Sequence, residues 1–288
     1  MPSSTSNSAL QGMYINLARS TERRELCEQQ LAEAKLADRY HRLEAVDGAQ
    51  LKVQSGSNLS PAKIGCWLSH IDALEQAIHF PGHTHILEDD FQLTPVFSEF
   101  IGDLAKYTAK LDSWDILFTD IDLAGMLNVS AMKNLVASVN SLAQNNNIEL
   151  RDAQPLYAAA NSSYIVNGAN RQKVHDLMKD GLASNLPNDL WLRKLIREGS
   201  IKAYVTLPFV TTVNPVFNNS TILGNIGSNN PSILFATLFR QSLAAGADTQ
   251  KLLTSFKKQL GSMPAINDRS MIYAHLVAHF MSDDFKAY

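Results

Sequence analysis

The stretch THILEDD, at residues 84–90, has the pattern of a short apolar strand that ends in three consecutive carboxylates. Side chains alternate along a strand, so Glu88 and Asp90 are expected to point one way and Asp89 the other. Two like charges side by side are costly unless a cation or hydrogen-bond donors lie between them. A hard divalent ion such as Mn²⁺ or Mg²⁺ suits this arrangement, because it takes oxygen ligands and leaves positions for substrate phosphates. An acidic strand end in water is the alternative, and spacing alone leaves both interpretations open.

The composition is that of a folded protein with an ordinary charge balance. The chain has 288 residues, 45% of them hydrophobic, which suffices for one large domain or for a domain with a helical appendage. The formal net charge is −3 and no run of Lys and Arg stands out, so no nucleic-acid partner is expected. The two cysteines, Cys27 and Cys66, fit buried reduced thiols in a reducing compartment.

The polar, serine-rich residues 1–9 lack the basic start and apolar stretch of a signal peptide. No segment approaches the roughly 20 apolar residues that a membrane span needs. A cytoplasmic protein is therefore expected, and attachment to the periphery of the inner membrane is left open. We expect residues 1–10 to be disordered.

Strand patterns and helix patterns alternate along the chain. Apolar or alternating runs predict strands at residues 12–17, 40–46, 84–90, 114–119, 155–166 and 201–207, with helical patterns between them. One predicted helix spans about residues 61–79 and is opened by Ser60 as N-cap and Pro61 at the first helical position, and another is expected over about residues 95–110. Such alternation indicates an α/β fold in which helices flank both faces of a mainly parallel sheet. We expect one domain over residues 11–210, and a loop with a C-terminal helical appendage over residues 211–288.

Polar side chains follow several predicted strands at the point where each ends. They are Asn16, Asp47, the acidic run Glu88–Asp90, and Asp120. Ligands of α/β sheets bind at the carboxyl ends of the strands. The sequence therefore predicts one shared site at this edge.

Four segments, in this order and at fitting intervals, together resemble glycosyltransferase family 25: INLARSTERR at 15–24, EAVDG at 44–48, IGCWLSH at 64–70 and LEDD at 87–90. The resemblance extends over residues 12–210. The family includes bacterial lipopolysaccharide and lipooligosaccharide galactosyl- and glucosyltransferases, and the domains that galactosylate collagen hydroxylysine. It implies a GT-A-like fold with a Rossmann-type sheet, a nucleotide-sugar donor such as a UDP-hexose, a divalent metal, a glycan acceptor and inversion at the anomeric carbon.

The resemblance assigns the acidic run to the metal and the donor. We expect Asp90 to bind Mn²⁺ or Mg²⁺, Glu88 to contact the donor ribose or the metal, and Asp89 to be structural. The cation would bridge the diphosphate and stabilise it as it leaves. Many transferases have Asp where this chain has Glu88, which leaves the role of Glu88 open.

Further donor contacts are expected around the end of the first strand. Guanidinium groups suit phosphates, so Arg19 and Arg24 are candidates together with Asn16. A solvated helix start explains Arg23 and Arg24 equally well. Asp47 could hold the base or the ribose of the nucleotide, or it could simply form an Asp-Gly turn.

Inverting transfer needs a carboxylate that removes the proton of the acceptor hydroxyl. The resemblance puts an acid near the start of a late helix, which makes Asp189 the expected general base. An acid favoured by the helix dipole is the alternative. Asp120, with Asp122, is the rival base or acceptor contact. Asn161 and the serines that follow it are weaker candidates for the sugar pocket.

Two residues of the IGCWLSH segment are expected to be structural, and other functions stay open. Trp67 fits the core, and His70 in the middle of a helix is more often structural than catalytic. A metal-dependent phosphohydrolase would need a phosphate-cradling loop, and no glycine-rich loop follows the first strand. A non-catalytic nucleotide-sugar or glycan-binding module is the other alternative.

The C-terminal region carries one apolar helix face, formed by Ile233, Leu234, Phe235, Leu238 and Phe239. This face is expected to pack on the domain or on a second copy of the chain. Contact with a membrane that carries the acceptor is another option, although the basic face that such contact favours is thin.

Overall fold

The computed structural model describes residues 10–51, 59–123, 129–214 and 231–262. The strands in these ranges are β1 (Leu10–Asn16), β2 (Tyr40–Glu44), β3 (His83–Glu88), β4 (Phe91–Leu93), β5 (Ile116–Phe118), β6 (Glu149–Asp152), β7 (Ser163–Val166), β8 (Ala203–Leu207) and β9 (Thr211–Val213). The helices are α1 (Thr21–Glu33), α2 (Pro61–Ala77), α3 (Phe97–Gly102), α4 (Leu104–Thr108), α5 (Val129–Gln144), α6 (Arg171–Asp180), α7 (Asn188–Arg197), α8 (Pro231–Ser242) and α9 (Thr249–Ser262). Except for residue 10, the segment expected to be disordered lies outside the described ranges.

A seven-stranded sheet has the order β2-β1-β3-β7-β5-β8-β6. Parallel pairs join β1 to β2 and β3, and β5 to β8. Antiparallel pairs place β7 between β3 and β5, and β6 beside β8. The predicted α/β class is confirmed, but the sheet is mixed, because β6 and β7 run against the other strands. A separate antiparallel pair joins β4 to β9.

The central strands are buried on both faces. Ile86 of β3 and Tyr164 of β7 pack into one apolar cluster, whereas Leu87 and Ile165 pack into a second cluster on the opposite face. Burial on both faces explains why β3 is an apolar run rather than an apolar-polar alternation.

Helix α2 begins and ends close to the predicted bounds. The Ser60 side chain caps it by accepting a hydrogen bond from the amide of Lys63 at 3.4 Å, and Pro61 occupies the first helical position. Trp67 is fully buried, as expected, and its indole Nε1 donates to the carbonyl of Leu186 at 2.9 Å. This bond ties α2 to the segment that opens α7.

Other predicted elements differ from the structure in length or number. The helix expected near residues 95–110 is two short helices, α3 and α4, and the run 155–166 forms a strand only at its end. The strands β4, β6 and β9 were not predicted, since three or four residues are too few for periodicity to separate a strand from a loop.

The C-terminal helix α8 packs on the domain. Leu238 and Phe239 are buried, and Phe209 forms a bridge with Ala244 just after the helix. The side chain of Ile233 lies outside the described part. None of the helices in the described ranges is long and apolar enough to cross a bilayer.

Candidate functional site

The predicted convergence of strand ends is present on one side of the sheet. Asn16, the last residue of β1, lies opposite Glu44 in β2, and its neighbour Ile15 lies opposite Glu88 in β3. Strand β3 ends at Glu88, so Asp89 and Asp90 lie in the turn that follows. The strict alternation expected for the three acids therefore stops at Glu88, and each carboxylate has different surroundings.

Glu88 is oriented by helix α2. Its Oε1 lies 3.1 Å from Nε2 of His70, whose Nδ1 lies 3.1 Å from the hydroxyl of Tyr164. Burial works to raise the pKa of Glu88, but the hydrogen bond and charge of His70, aided by Arg240 and Arg23, outweigh burial and lower that pKa. Glu88 is therefore held as a carboxylate, and the contacts of His70 with Glu88 and Tyr164 agree with the structural role expected of this histidine.

Asp89 is held inside the scaffold. Arg23 Nη1 lies 2.6 Å from its Oδ1, and Asn16 Nδ2 donates to its Oδ2 at 2.7 Å. Asn16 also donates to the carbonyl of Ser20 and accepts from Arg42 Nε at 3.0 Å. Both hydrogens of the Asn16 side-chain amide are therefore donated within the protein, one to Ser20 and one to Asp89. These contacts agree with the structural role expected of Asp89.

Asp90 has an unpaired, buried carboxylate oxygen. Within the described residues its Oδ1 has no hydrogen-bond partner, and its Oδ2 lies 3.9 Å from Arg23 Nη1. Burial and the charge of Glu88 raise the pKa of Asp90 to about 7, against the opposing effect of Arg23. A buried carboxylate oxygen without a donor, beside a second carboxylate, fits a site for a hard divalent cation.

The two helical arginines have different surroundings. Arg23 faces the acidic turn with a side chain 11% exposed, while Arg24 is half-exposed and pairs with Glu28 at 2.7 Å on α1. Arg23 shares a helical stripe with the buried Cys27 and Leu31, at spacings of four residues. That periodicity is the sequence signal that distinguishes Arg23 from Arg24.

The predicted nucleotide contacts Arg19 and Asp47 form an ion pair with each other. Asp47 also accepts from the amide of Ala49 at 3.0 Å, as expected of an Asp-Gly turn. The turn lies against α2, where a Cβ on Gly65 would stand 2.6 Å from the carbonyl oxygen of Val46. The glycine therefore permits the close approach that fixes Asp47 beside α2.

Asp120 lies in a buried ion pair that sequence analysis did not find. Arg240 of α8 binds its Oδ2 through Nε at 2.7 Å and through Nη2, and Thr211 donates to its Oδ1 at 3.3 Å. Nη2 of Arg240 also contacts the hydroxyl of Ser162. The pairing spans 120 positions, and no local pattern indicates it. A residue beyond position 210 thus reaches the acidic site, and its charge acts on Glu88 and Asp90.

Asp189 lies in the first turn of α7 and is held by backbone amides. Its Oδ1 accepts from Leu190 at 2.8 Å, and its Oδ2 accepts from Ala160 at 3.4 Å. Ala160 adopts a left-handed φ of 67°, which is uncommon for a residue with a side chain. The adjacent Asn188 donates to Cys66 Sγ at 3.4 Å, and Sγ lies 4.0 Å from Glu88 Oε1. The start of α7, which carries Asp189, is thereby linked through Cys66 of α2 to Glu88.

Two more buried polar atoms near these acids lack a partner among the described residues. They are the hydroxyl of Tyr157 and Nδ2 of Asn161. The charge of Asp189 contributes to the raised pKa of Tyr157, after burial, and the carbonyl of Ser162, next to Asn161, accepts from the amide of Glu88 at 2.7 Å. Unpaired buried groups of this kind are rare in folded proteins unless a ligand, an ion or water satisfies them.

Comparison with known proteins agrees with the four sequence motifs. Residues 11–122 match the family model described as "Glycosyltransferase family 25 (LPS biosynthesis protein)". The match confirms the resemblance over β1 to β5, a segment that holds the acidic run and Asp120 but is less than half of the chain. A search of curated proteins found no match.

Proposed function

We propose that this chain, whose residues 11–122 match a family of glycosyltransferases in lipopolysaccharide biosynthesis, is a metal-dependent inverting hexosyltransferase. The donor is a nucleotide sugar, UDP-galactose or UDP-glucose in the first instance, and the acceptor is a glycan such as the lipopolysaccharide core. One observation carries the proposal: at the end of β3, within the matched segment, Asp90 Oδ1 is buried beside the ionised Glu88 and has no partner among the residues that the structure describes.

The donor diphosphate is proposed to lie near this pair of acids. Glu88 and Asp90 would hold the divalent cation, Mn²⁺ or Mg²⁺, since both offer oxygen ligands at one strand end. When bound, this cation supplies Lewis-acid stabilisation of the leaving diphosphate. Arg23 holds the acidic turn through Asp89 and limits the repulsion among the carboxylates. The nucleotide is proposed to lie along the ends of β1 and β2, where Arg19 and Asp47 meet.

Asp189 is the proposed general base. Its carboxylate keeps acceptor capacity, because each oxygen is bonded by a single backbone amide and the Ala160 bond is long at 3.4 Å. The acceptor oxygen attacks the anomeric carbon as Asp189 takes its proton, and the bond from that carbon to the UDP oxygen breaks on the opposite face. Tyr157 and Asn161, whose buried polar atoms have no partner in the described part of the chain, are proposed to bind sugar hydroxyls.

Asp120 is less suited to be the base. Its Oδ2 is saturated by Arg240 and its Oδ1 accepts from Thr211, so a proton transfer there would disrupt a buried ion pair. We propose instead that Asp120 fixes Arg240, whose positive charge offsets the acids around the diphosphate. On this proposal α8 is part of the active enzyme, although it lies in the expected appendage.

The location of the protein, its association with a second copy and its domain boundary are also proposals. The protein is proposed to act in the cytoplasm, and attachment to the periphery of the inner membrane and association with a second copy of the chain are left open. The expected domain boundary at residue 210 also stays a prediction.

A donor screen with purified full-length protein tests the function. Each UDP-hexose is incubated with a lipopolysaccharide-core oligosaccharide, with Mn²⁺ or with EDTA, while UDP release and product mass are followed. The proposal expects one UDP-hexose to yield a product one hexose heavier, in the Mn²⁺ arm only. Cleavage of generic phosphate esters would indicate the phosphohydrolase instead, and donor binding without release of UDP would indicate a binding module.

A further inference from the structure

Three side chains of different chemistry meet beneath the acidic run. Cys66 and His70 lie one turn apart on α2 and face Glu88 at the end of β3. Cys66 Sγ, His70 Nε2 and the Glu88 carboxylate lie within 4.8 Å of one another. Thiolate, imidazole and carboxylate are the ligands of zinc-type sites, whereas Mn²⁺ and Mg²⁺ favour oxygen alone.

The spacing of the three atoms suits one small ion. His70 Nε2 lies 3.1 Å from Glu88 Oε1, and Cys66 Sγ lies 4.0 Å from the same oxygen. For tetrahedral Zn²⁺, bonds of about 2.0–2.1 Å to N and O and about 2.3 Å to S place neighbouring ligand atoms about 3.3–3.6 Å apart. These two distances differ from that range by a few tenths of an ångström, and the distance from Cys66 Sγ to His70 Nε2, which is at most 4.8 Å, would have to shorten by up to about 1.2 Å as the ion binds.

Each nitrogen or sulfur ligand also has an outer partner that orients it. Asn188 Nδ2 donates to Cys66 Sγ at 3.4 Å, and the Tyr164 hydroxyl lies 3.1 Å from His70 Nδ1. With an ion on Nε2, His70 carries its proton on Nδ1 and donates to the Tyr164 oxygen. Outer contacts of this kind are typical of protein metal sites, where they fix the ring orientation and stabilise the thiolate.

We propose that Cys66, His70 and Glu88 form a three-ligand site for a borderline-soft divalent ion of the zinc class, with a fourth position open. The site is distinct from the hard-cation site at Asp90, although it shares Glu88 with it. The assignment of these three ligands rests on their positions and does not depend on whether the chain transfers sugar. Because one carboxylate serves both ions, loading with Zn²⁺ is expected to weaken binding of Mn²⁺.

Cobalt(II) is the probe, since it replaces zinc and absorbs visible light. Metal-free full-length protein is titrated with Co²⁺ and followed by absorption. The proposal expects saturation at one equivalent, strong tetrahedral d–d bands and a thiolate-to-cobalt charge-transfer band, with displacement by Zn²⁺ but not by excess Mg²⁺. Cys66→Ser must lose the charge-transfer band. Cys27→Ser, a matched control at the other cysteine, must keep it.

Three results would overturn the assignment: a wild-type protein without a charge-transfer band, a band that survives Cys66→Ser, or a band that Cys27→Ser removes. Circular dichroism checks that each variant folds. If Cys66→Ser does not fold, His70→Gln takes its place and must lose the tetrahedral d–d intensity. An unchanged cobalt spectrum in that variant also overturns the site.

Discussion

Replacing Asp90 with asparagine is expected to stabilise the metal-free protein while it weakens the metal site. The pKa of Asp90 stands at about 7 against an ordinary 3.8, because burial and Glu88 disfavour its ionised form. A difference of one pKa unit corresponds to about 1.4 kcal/mol, so the ionised carboxylate costs at most about 4 kcal/mol. The lowered pKa of the neighbouring Glu88 and the 23% exposure of the Asp90 side chain reduce this cost, and we expect Asp90→Asn to stabilise the protein by about 1–2 kcal/mol at pH 8.

The sign of the pH dependence follows from proton binding. Between about pH 4 and pH 7 the folded wild-type protein holds a proton on Asp90 that the unfolded chain has lost. This contribution to wild-type stability therefore falls as pH rises through the window, whereas the asparagine variant lacks the titrating group at position 90. The stability difference should be small near pH 4, grow towards pH 7 and stay constant above it.

Urea denaturation in EDTA at pH 4.5, 6 and 8 measures this difference. Asp103→Asn, at an exposed residue, changes the net charge equally and should alter stability by less than about 0.5 kcal/mol. Mn²⁺ at 100 times its dissociation constant should then stabilise the wild type by about 2.7 kcal/mol and the Asp90 variant by much less. An Asp90→Asn protein that is less stable at pH 8 without metal, or a difference independent of pH, would refute the reasoning.

Three further variants test the other parts of the site. Asp189→Asn is expected to abolish turnover and keep UDP-sugar binding by calorimetry; a near-normal rate would assign the base to another residue. Arg240→Gln leaves Asp120 buried without its cation and should lower the free energy of unfolding by about 3–5 kcal/mol; adding Asp120→Asn should restore part of the loss, and simple additivity would contradict the pairing. Arg23→Gln should weaken binding of Mn²⁺ with UDP, measured by calorimetry, and Arg24→Gln should change it little, so equal effects would count against the assignment of Arg23.

The acidic strand end and the helix that faces it could be predicted because their signals are local. An apolar run that ends in carboxylates, and a Ser-Pro helix start, depend on residues close together in sequence. The predicted meeting of the ends of β1 and β3 followed from the geometry of parallel sheets.

Other parts depend on contacts that no local pattern records. Arg240 reaches Asp120 across 120 positions, and only the docking of α8 brings them together. Asn16 stays a predicted donor contact, and no local pattern indicates that its side-chain amide donates to Asp89 and accepts from Arg42. The antiparallel orientation of β6 and β7 likewise depends on long-range pairing, of β6 with β8 and of β7 with β3 and β5.

The anomalous difference map of a crystal grown with Mn²⁺ and UDP tests the central claim most directly. We predict one manganese peak bonded to Asp90 and to Glu88, with the diphosphate of UDP on its open side. A manganese peak elsewhere, or a nucleotide bound away from the end of β3, would contradict the proposed active site.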